Sequence, residues 1–149
     1  MNIWRPSQTI KVKALGLHWR GDRLLVADVY DDDGAVKGVR PLGGSVEFGE
    51  DWRSTLIREF REELNVEITI AESVRVMENI YTHHGQTGHE VLFIAEVSFD
   101  DSGFPDGFRF VEDSGAECWA RWVSLGQLKA EKTPLFPIGL EAFLGGEPL

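Results

Sequence analysis

Two glycines and three glutamates limit what this chain can fold into more tightly than any other feature. Residues 43–66 read Gly-Gly-Ser-Val-Glu-Phe-Gly-Glu-Asp-Trp-Arg-Ser-Thr-Leu-Ile-Arg-Glu-Phe-Arg-Glu-Glu-Leu-Asn-Val. Asp51 is suited to cap a helix, because its carboxylate can accept from the free N–H groups of the first turn. The helix is expected to run to Leu64. Asn65 then stands where a left-handed residue closes it, Asn being the usual substitute for Gly there.

At about 100° per residue, Trp52, Leu56, Ile57, Phe60 and Leu64 form a core stripe. Glu59, Glu62 and Glu63 stand at i, i+3 and i+4, so they crowd a neighbouring arc. Like charges so placed repel, and beside a protein wall one of them must hold a proton. A divalent cation removes the conflict. Carboxylate oxygens select hard ions, Mg²⁺ first and Mn²⁺ second.

The stretch resembles the Nudix box, the signature of the Nudix hydrolases. That pattern is Gly, five residues, Glu, seven residues, then Arg-Glu-apolar-any-Glu-Glu-any-Gly-apolar. It falls here on Gly44, Glu50, Arg58, Glu59, Phe60, Glu62, Glu63, Asn65 and Val66. Asn65 replaces the late Gly, and since Asn tolerates positive φ the same backbone turn is expected. Phe60 is bulkier than the usual apolar residue.

The resemblance implies hydrolysis of a nucleoside diphosphate linked to another moiety. It also implies an α/β (α+β) fold, an α/β/α sandwich whose mixed, curled sheet carries the box helix. Such a substrate repels an incoming hydroxide. Divalent ions neutralise its oxygens and acidify water, so the protein must supply hard ligands and a base. Glu59 and Glu63, one helical turn apart, are assigned to the metal. Glu62 is assigned as general base, with a ligand role equally open. By resemblance the backbone carbonyl of Gly43 is a further ligand, since a glycine lets a cation approach the chain closely. Arg58 is expected to orient a glutamate, with Glu50 as its ion-pair partner. Family members often add an acid from a later loop. Glu117 fits best and Glu112 is the runner-up.

The chain has 149 residues, enough for one domain with a sizeable core, and is read as a single domain over 1–149. A net charge of −10 argues against a long nucleic acid as partner. A small anionic substrate is still allowed, because a bound metal reverses the local sign. The expected partner is a nucleotide-like molecule, with no membrane and with a homodimer left open. Cys118 is the one cysteine, so no internal disulfide is available, and it reads as a small buried hydrophobe. Residues 1–7 carry no apolar core and no run approaches spanning length, so a cytoplasmic location is expected.

Taken in order, residues 9–19 and 23–30 read as a hairpin about Gly21 and Asp22. Asp31, Asp32, Asp33 and Gly34 form a solvated turn. Residues 46–48 read as a short strand, as do 66–70 and 73–82. Residues 83–89 read as a polar loop; its three histidines fit no zinc spacing. Residues 90–99 are the most apolar strand and are expected to be central. A loop over 100–114 holds a short strand at 108–110. A strand at 117–123, a helix at 125–130 capped by Ser124, and a helix at 134–144 ended by Gly145 and Gly146 complete the chain.

For the substrate, Arg40 beside the glycines is a candidate for a phosphate oxygen. Tyr81, Phe108 and Trp119 are candidates to stack a base, with Tyr81 carried forward as the binding residue. The function expected is a metal-dependent pyrophosphohydrolase, with an ADP-sugar type substrate favoured and a nucleoside triphosphate as alternative. A ligand sensor on the same fold would tolerate loss of box acids, whereas all three are present. Processing of a messenger-RNA end is disfavoured by the charge.

Overall fold

The computed structural model describes residues 3–145. In chain order its elements are β1 (Ile10–Leu17), β2 (Trp19–Arg20), β3 (Arg23–Tyr30), β4 (Val36–Ser45), α1 (Trp52–Leu64), β5 (Thr69–His83), β6 (Gln86–Ser98), β7 (Gly107–Val111), β8 (Glu117–Ser124), α2 (Leu125–Glu131) and α3 (Leu140–Leu144). The strands form one mixed sheet ordered β5-β6-β1-β4-β3-β8-β7, with β2 paired to β3. β1 runs parallel to β6 and antiparallel to β4. β4 joins the two halves: residues 42–45 pair with β1 and residues 36–41 with β3.

Each sheet face is covered by helix. On one side Leu56, Phe60 and Leu64 of α1 pack on Ala14, Leu25, Ala27, Leu42, Ala95 and Trp122. Burying Leu56 and Phe60, both essentially inaccessible, stabilises the unit by about 2 kcal/mol each. On the other side Leu128 of α2 and Leu140 of α3 cover Leu15, Val26, Val39 and Ile94. This is the expected α/β/α sandwich.

Both caps of α1 form as the sequence dictates. Asp51 accepts from the Ser54 N–H at 2.7 Å. Asn65 adopts φ 55° and its N–H donates to the Arg61 carbonyl at 3.0 Å. Ser124 likewise accepts from the Gln127 N–H at 3.0 Å to start α2.

Several local expectations change. The chain turns at His18, so only β2 makes the hairpin with β3, while β1 serves the other half of the sheet. Residues 46–48 are not a strand: β4 has already run through both glycines, and Phe48 is fully exposed in the turn that follows. The strands expected at 66–70 and 73–82 are one strand, β5, with a bulge between Ile70 and Val74. The loop expected over 83–89 shrinks to a tight turn at His84 and Gly85, because residues 86–89 pair with β5. β6 lies second from the sheet edge rather than at its centre. The last helix is only α3; Pro134 and Pro137 keep residues 134–139 out of it, and Leu135 instead bridges to Val39. Gly145 is its cap, and Gly146 lies outside the described residues.

Candidate active site

The box loop and α1 meet at Gly44. A Cβ there would fall 2.3 Å from the Glu59 carboxyl carbon, so the missing side chain is the space in which Glu59 lies. Gly43 serves a different need. A Cβ on it would sit 1.9 Å from the Ala14 carbonyl oxygen, which the β1–β4 pairing brings against it. The glycine pair thus lets two strands and one glutamate share the same few ångströms.

Arg58 is the hub of the loop–helix unit. Its Nε and Nη2 donate to the two Glu50 oxygens at 2.8 and 2.9 Å. Nη2 also donates to the Ser45 carbonyl at 3.1 Å, and Nη1 to Glu59 at 2.9 Å and Glu62 at 3.4 Å. Glu50 in turn accepts from the Thr55 hydroxyl at 2.6 Å. Those bonds from Arg58 and Thr55 hold the Glu50 carboxyl down at about 2. The fork geometry of the guanidinium suits this bidentate grip.

The helix acids are left with too little positive charge. Glu59 is buried, and burial together with the nearby Asp113 carboxylate pushes it up to about 7. Glu63 is half-buried; burial and then the Glu59 charge push it up to about 9. Glu62 is exposed and is raised chiefly by Asp113. Carboxylate oxygens of Glu59, Glu62 and Asp113 lie within 4.8 Å of one another. An all-carboxylate, half-buried set that resists full ionisation fits a hard divalent cation in chemistry and in charge.

The later loop reaches the site through Glu112 and Asp113. Asp113 stands 3.5 Å from Arg58 Nη1. Glu112 accepts from Arg40 Nη2, and its charge bears on Glu63. Glu117 is not brought in. In β8 alternate residues Cys118, Ala120 and Trp122 face α1, so Glu117 and Trp119 turn to the opposite face. Sequence reasoning passed over Asp113. The signal for it lay in the turn residues Ser114 and Gly115, which place residues 112 and 113 at a hairpin corner beside the helix.

Tyr81 is also elsewhere. Its ring covers Gly88, where a Cβ would fall 2.2 Å from Cζ, on the face of β5 and β6 turned away from α1. Phe108 packs between Phe104 and Trp122 in the core, with ring centroids 4.9 and 5.8 Å apart. Trp119 does line a recess of about 250 Å³, together with Tyr30, Arg109, Glu117 and Cys118. Its residues Arg109, Glu117 and Trp119 belong to the face turned away from α1, whereas the Cys118 thiol lies on the α1 side, where it is raised first by burial and then by Glu112. Arg40 is part-exposed at the cluster's edge.

A second group of ligating side chains lies at the β5–β6 turn, where Asp32, His83 and His84 bring three donor atoms within 4.8 Å. Arg5 donates to both Asp32 oxygens at 3.0 and 2.7 Å, and the Lys37 ammonium donates to His83 Nδ1 at 2.9 Å. The protein's own cations fill this cluster.

A family model described as a NUDIX domain matches residues 12–141. Among solved structures, the chain is similar to that of the E. coli ORF135 protein, at 24% identity over 91% of this chain and 89% of that one, with a TM-score of 0.61. It is similar to a MutT NUDIX hydrolase from Burkholderia pseudomallei, at 17% identity over 92% and 98%, with a TM-score of 0.60. A C. elegans Ap4A hydrolase follows at 20% identity over 92% and 98%, with a TM-score of 0.53. At such identities the likeness is one of fold. No curated protein matches the sequence.

Proposed function

The chain belongs to the NUDIX family of hydrolases, and from that premise we propose that it cleaves the pyrophosphate of a nucleoside diphosphate linked to another moiety, an ADP-sugar type compound being the leading candidate. The single observation that carries the reading is the gathering of Glu59, Glu62 and Asp113 around one point, with Glu63 behind them. Members of the family generally use divalent metals. Here Mg²⁺, or Mn²⁺ in its place, would be held by Glu59, Glu63 and Asp113, with the Gly43 carbonyl as a further ligand. Such an ion neutralises pyrophosphate oxygens and lowers the pKa of water.

The chain's own residues do the rest. Glu62 is the exposed member of the set and takes the proton from the attacking water. Arg58 positions Glu59 and Glu62 through the bonds described above. Arg40 binds a phosphate oxygen as the charge on it grows. Every residue in the scheme comes from one chain, whether it acts alone or as a homodimer. The single half-buried Cys118 suits a reducing cytoplasm, and no described helix is long and apolar enough to cross a membrane.

A substrate panel with Mg²⁺ and with Mn²⁺ tests the proposal, products being resolved by chromatography. It should hold ADP-sugars, nucleoside triphosphates and, given the Ap4A hydrolase among similar structures, dinucleoside polyphosphates. Release of AMP from an ADP-sugar is the expected result. Turnover confined to triphosphates would move the substrate assignment. Tight binding without turnover of any compound would make the protein a sensor.

A further inference from the structure

Arg40 and Arg58 both border the acid cluster, yet they are held differently. Arg58 is spent on Glu50, Glu59 and the Ser45 carbonyl. Arg40 donates to the Pro41 carbonyl at 3.2 Å and to one carboxylate, that of Glu112. The two partners come from distant places, Arg40 from β4 and Glu112 from the corner after β7. Between them β3 and β8 present Ala27, paired with both Arg40 and Ala120. Two alanines side by side keep the floor low enough for the side chains to meet above it. The two side chains remain 28% and 30% exposed, so the pair is open to a ligand. Glu112 is fixed at its backbone, its N–H donating to the Ala116 carbonyl at 3.0 Å and its carbonyl accepting from Gly115 at 2.8 Å.

A carboxylate and a phosphate offer a guanidinium the same pair of oxygens. We propose that Glu112 is a built-in stand-in for substrate phosphate, holding Arg40 in the free protein and yielding it when a pyrophosphate group enters. The pair then acts as a specificity device. A ligand with a single weak negative charge cannot outbid Glu112, whereas a pyrophosphate can. Glu112 is in this role a positioning residue, and it keeps Arg40 beside Glu63 rather than in solvent. The inference rests on reading the cleft as a pyrophosphate site.

The experiment uses metal-free protein in EDTA with inorganic pyrophosphate as the probe, followed by calorimetry. Glu112→Gln should tighten binding by up to about fivefold, the worth of a part-exposed ion pair. Arg40→Ala should weaken it. In the Arg40→Ala background, Glu112→Gln should give no gain. A gain that persists there would show only the removal of a negative charge, and would overturn the proposal; so would the absence of any gain in the single variant. Glu112→Asp, which keeps the charge and shortens the reach, should fall between wild type and Glu112→Gln, and a value equal to wild type would also count against it. Circular dichroism confirms that each variant is folded. Failure of the functional reading looks different: the Glu112 effect would be present while the Mg²⁺ panel showed no turnover.

Discussion

Among the described residues two clusters bring three ligating side chains to within 4.8 Å, and only one of the two has the charge of a metal site. At the β5–β6 turn, Asp32 is held down by its bonds to Arg5, and His83 is lowered by burial and by Lys37. Two cations from the chain close that cluster. Beside α1, Arg58 gives its best geometry to Glu50, leaving Glu59 and Glu63 raised and in conflict with each other. Proximity of ligands is therefore a weak criterion. What separates the two is the balance of charge: a cluster that already holds more cation than anion has nothing for a metal ion to relieve, while a strained set of carboxylates does.

The largest effect that can break this comparison is on turnover. Glu59→Gln should lower kcat on the best panel substrate by about a hundredfold or more, while His84→Ala at the other cluster should leave kcat within about twofold, a change worth less than the 1.4 kcal/mol of a tenfold step. An active Glu59→Gln enzyme would remove the acid cluster from the chemistry.

Stability should respond next. Glu59 and Glu63 titrate in the folded chain at about 7 and about 9, above the usual carboxylate value. The native state therefore binds more protons than the unfolded state from about pH 4.3 up to those values, and stability falls as pH rises through that window. Glu50, held at about 2, acts with the opposite sign: its contribution is present above about pH 4.3 and is lost on acidification towards its folded value. Metal-free protein should accordingly melt markedly higher at pH 6 than at pH 8.5, the two raised carboxyls being worth a difference of up to about 4–5 kcal/mol over that window. Mg²⁺ should abolish most of it, and so should Glu63→Gln without metal. A flat metal-free profile would mean that the acids are not in conflict.

What could be read in advance follows from the range of each interaction. The helix, its caps, the Glu50–Arg58 pair and the crowded acids all lie within a few turns of one another, where a fixed period decides geometry. Glu117 and Tyr81 were misplaced for a reason already present in the sequence. If Cys118, Ala120 and Trp122 face the core under α1, then Glu117 cannot. The same alternation sends Tyr81 to the face opposite Ile80. Asp113 and the Arg40–Glu112 pair were hidden because they depend on which strands are neighbours. Placing β8 beside β3 and β7 beyond it, three and four strands from β1, is a property of the whole sheet.

The smallest expected effect is the sharpest test of charge balance. Replacing Arg5 and Lys37 together by Gln leaves Asp32, His83 and His84 in place and removes both cations that satisfy them. Two imidazoles and a carboxylate suit Zn²⁺. With Mg²⁺ in excess to occupy the acid cluster, Zn²⁺ at about ten times its dissociation constant should stabilise the double variant by about 1.4 kcal/mol, a few degrees in Tm. Wild-type protein should not shift, because Arg5 and Lys37 already hold the donor atoms. His84→Ala in the double variant should erase the gain. If wild type and the double variant were stabilised alike, proximity would suffice after all, and the distinction drawn between the two clusters would fail.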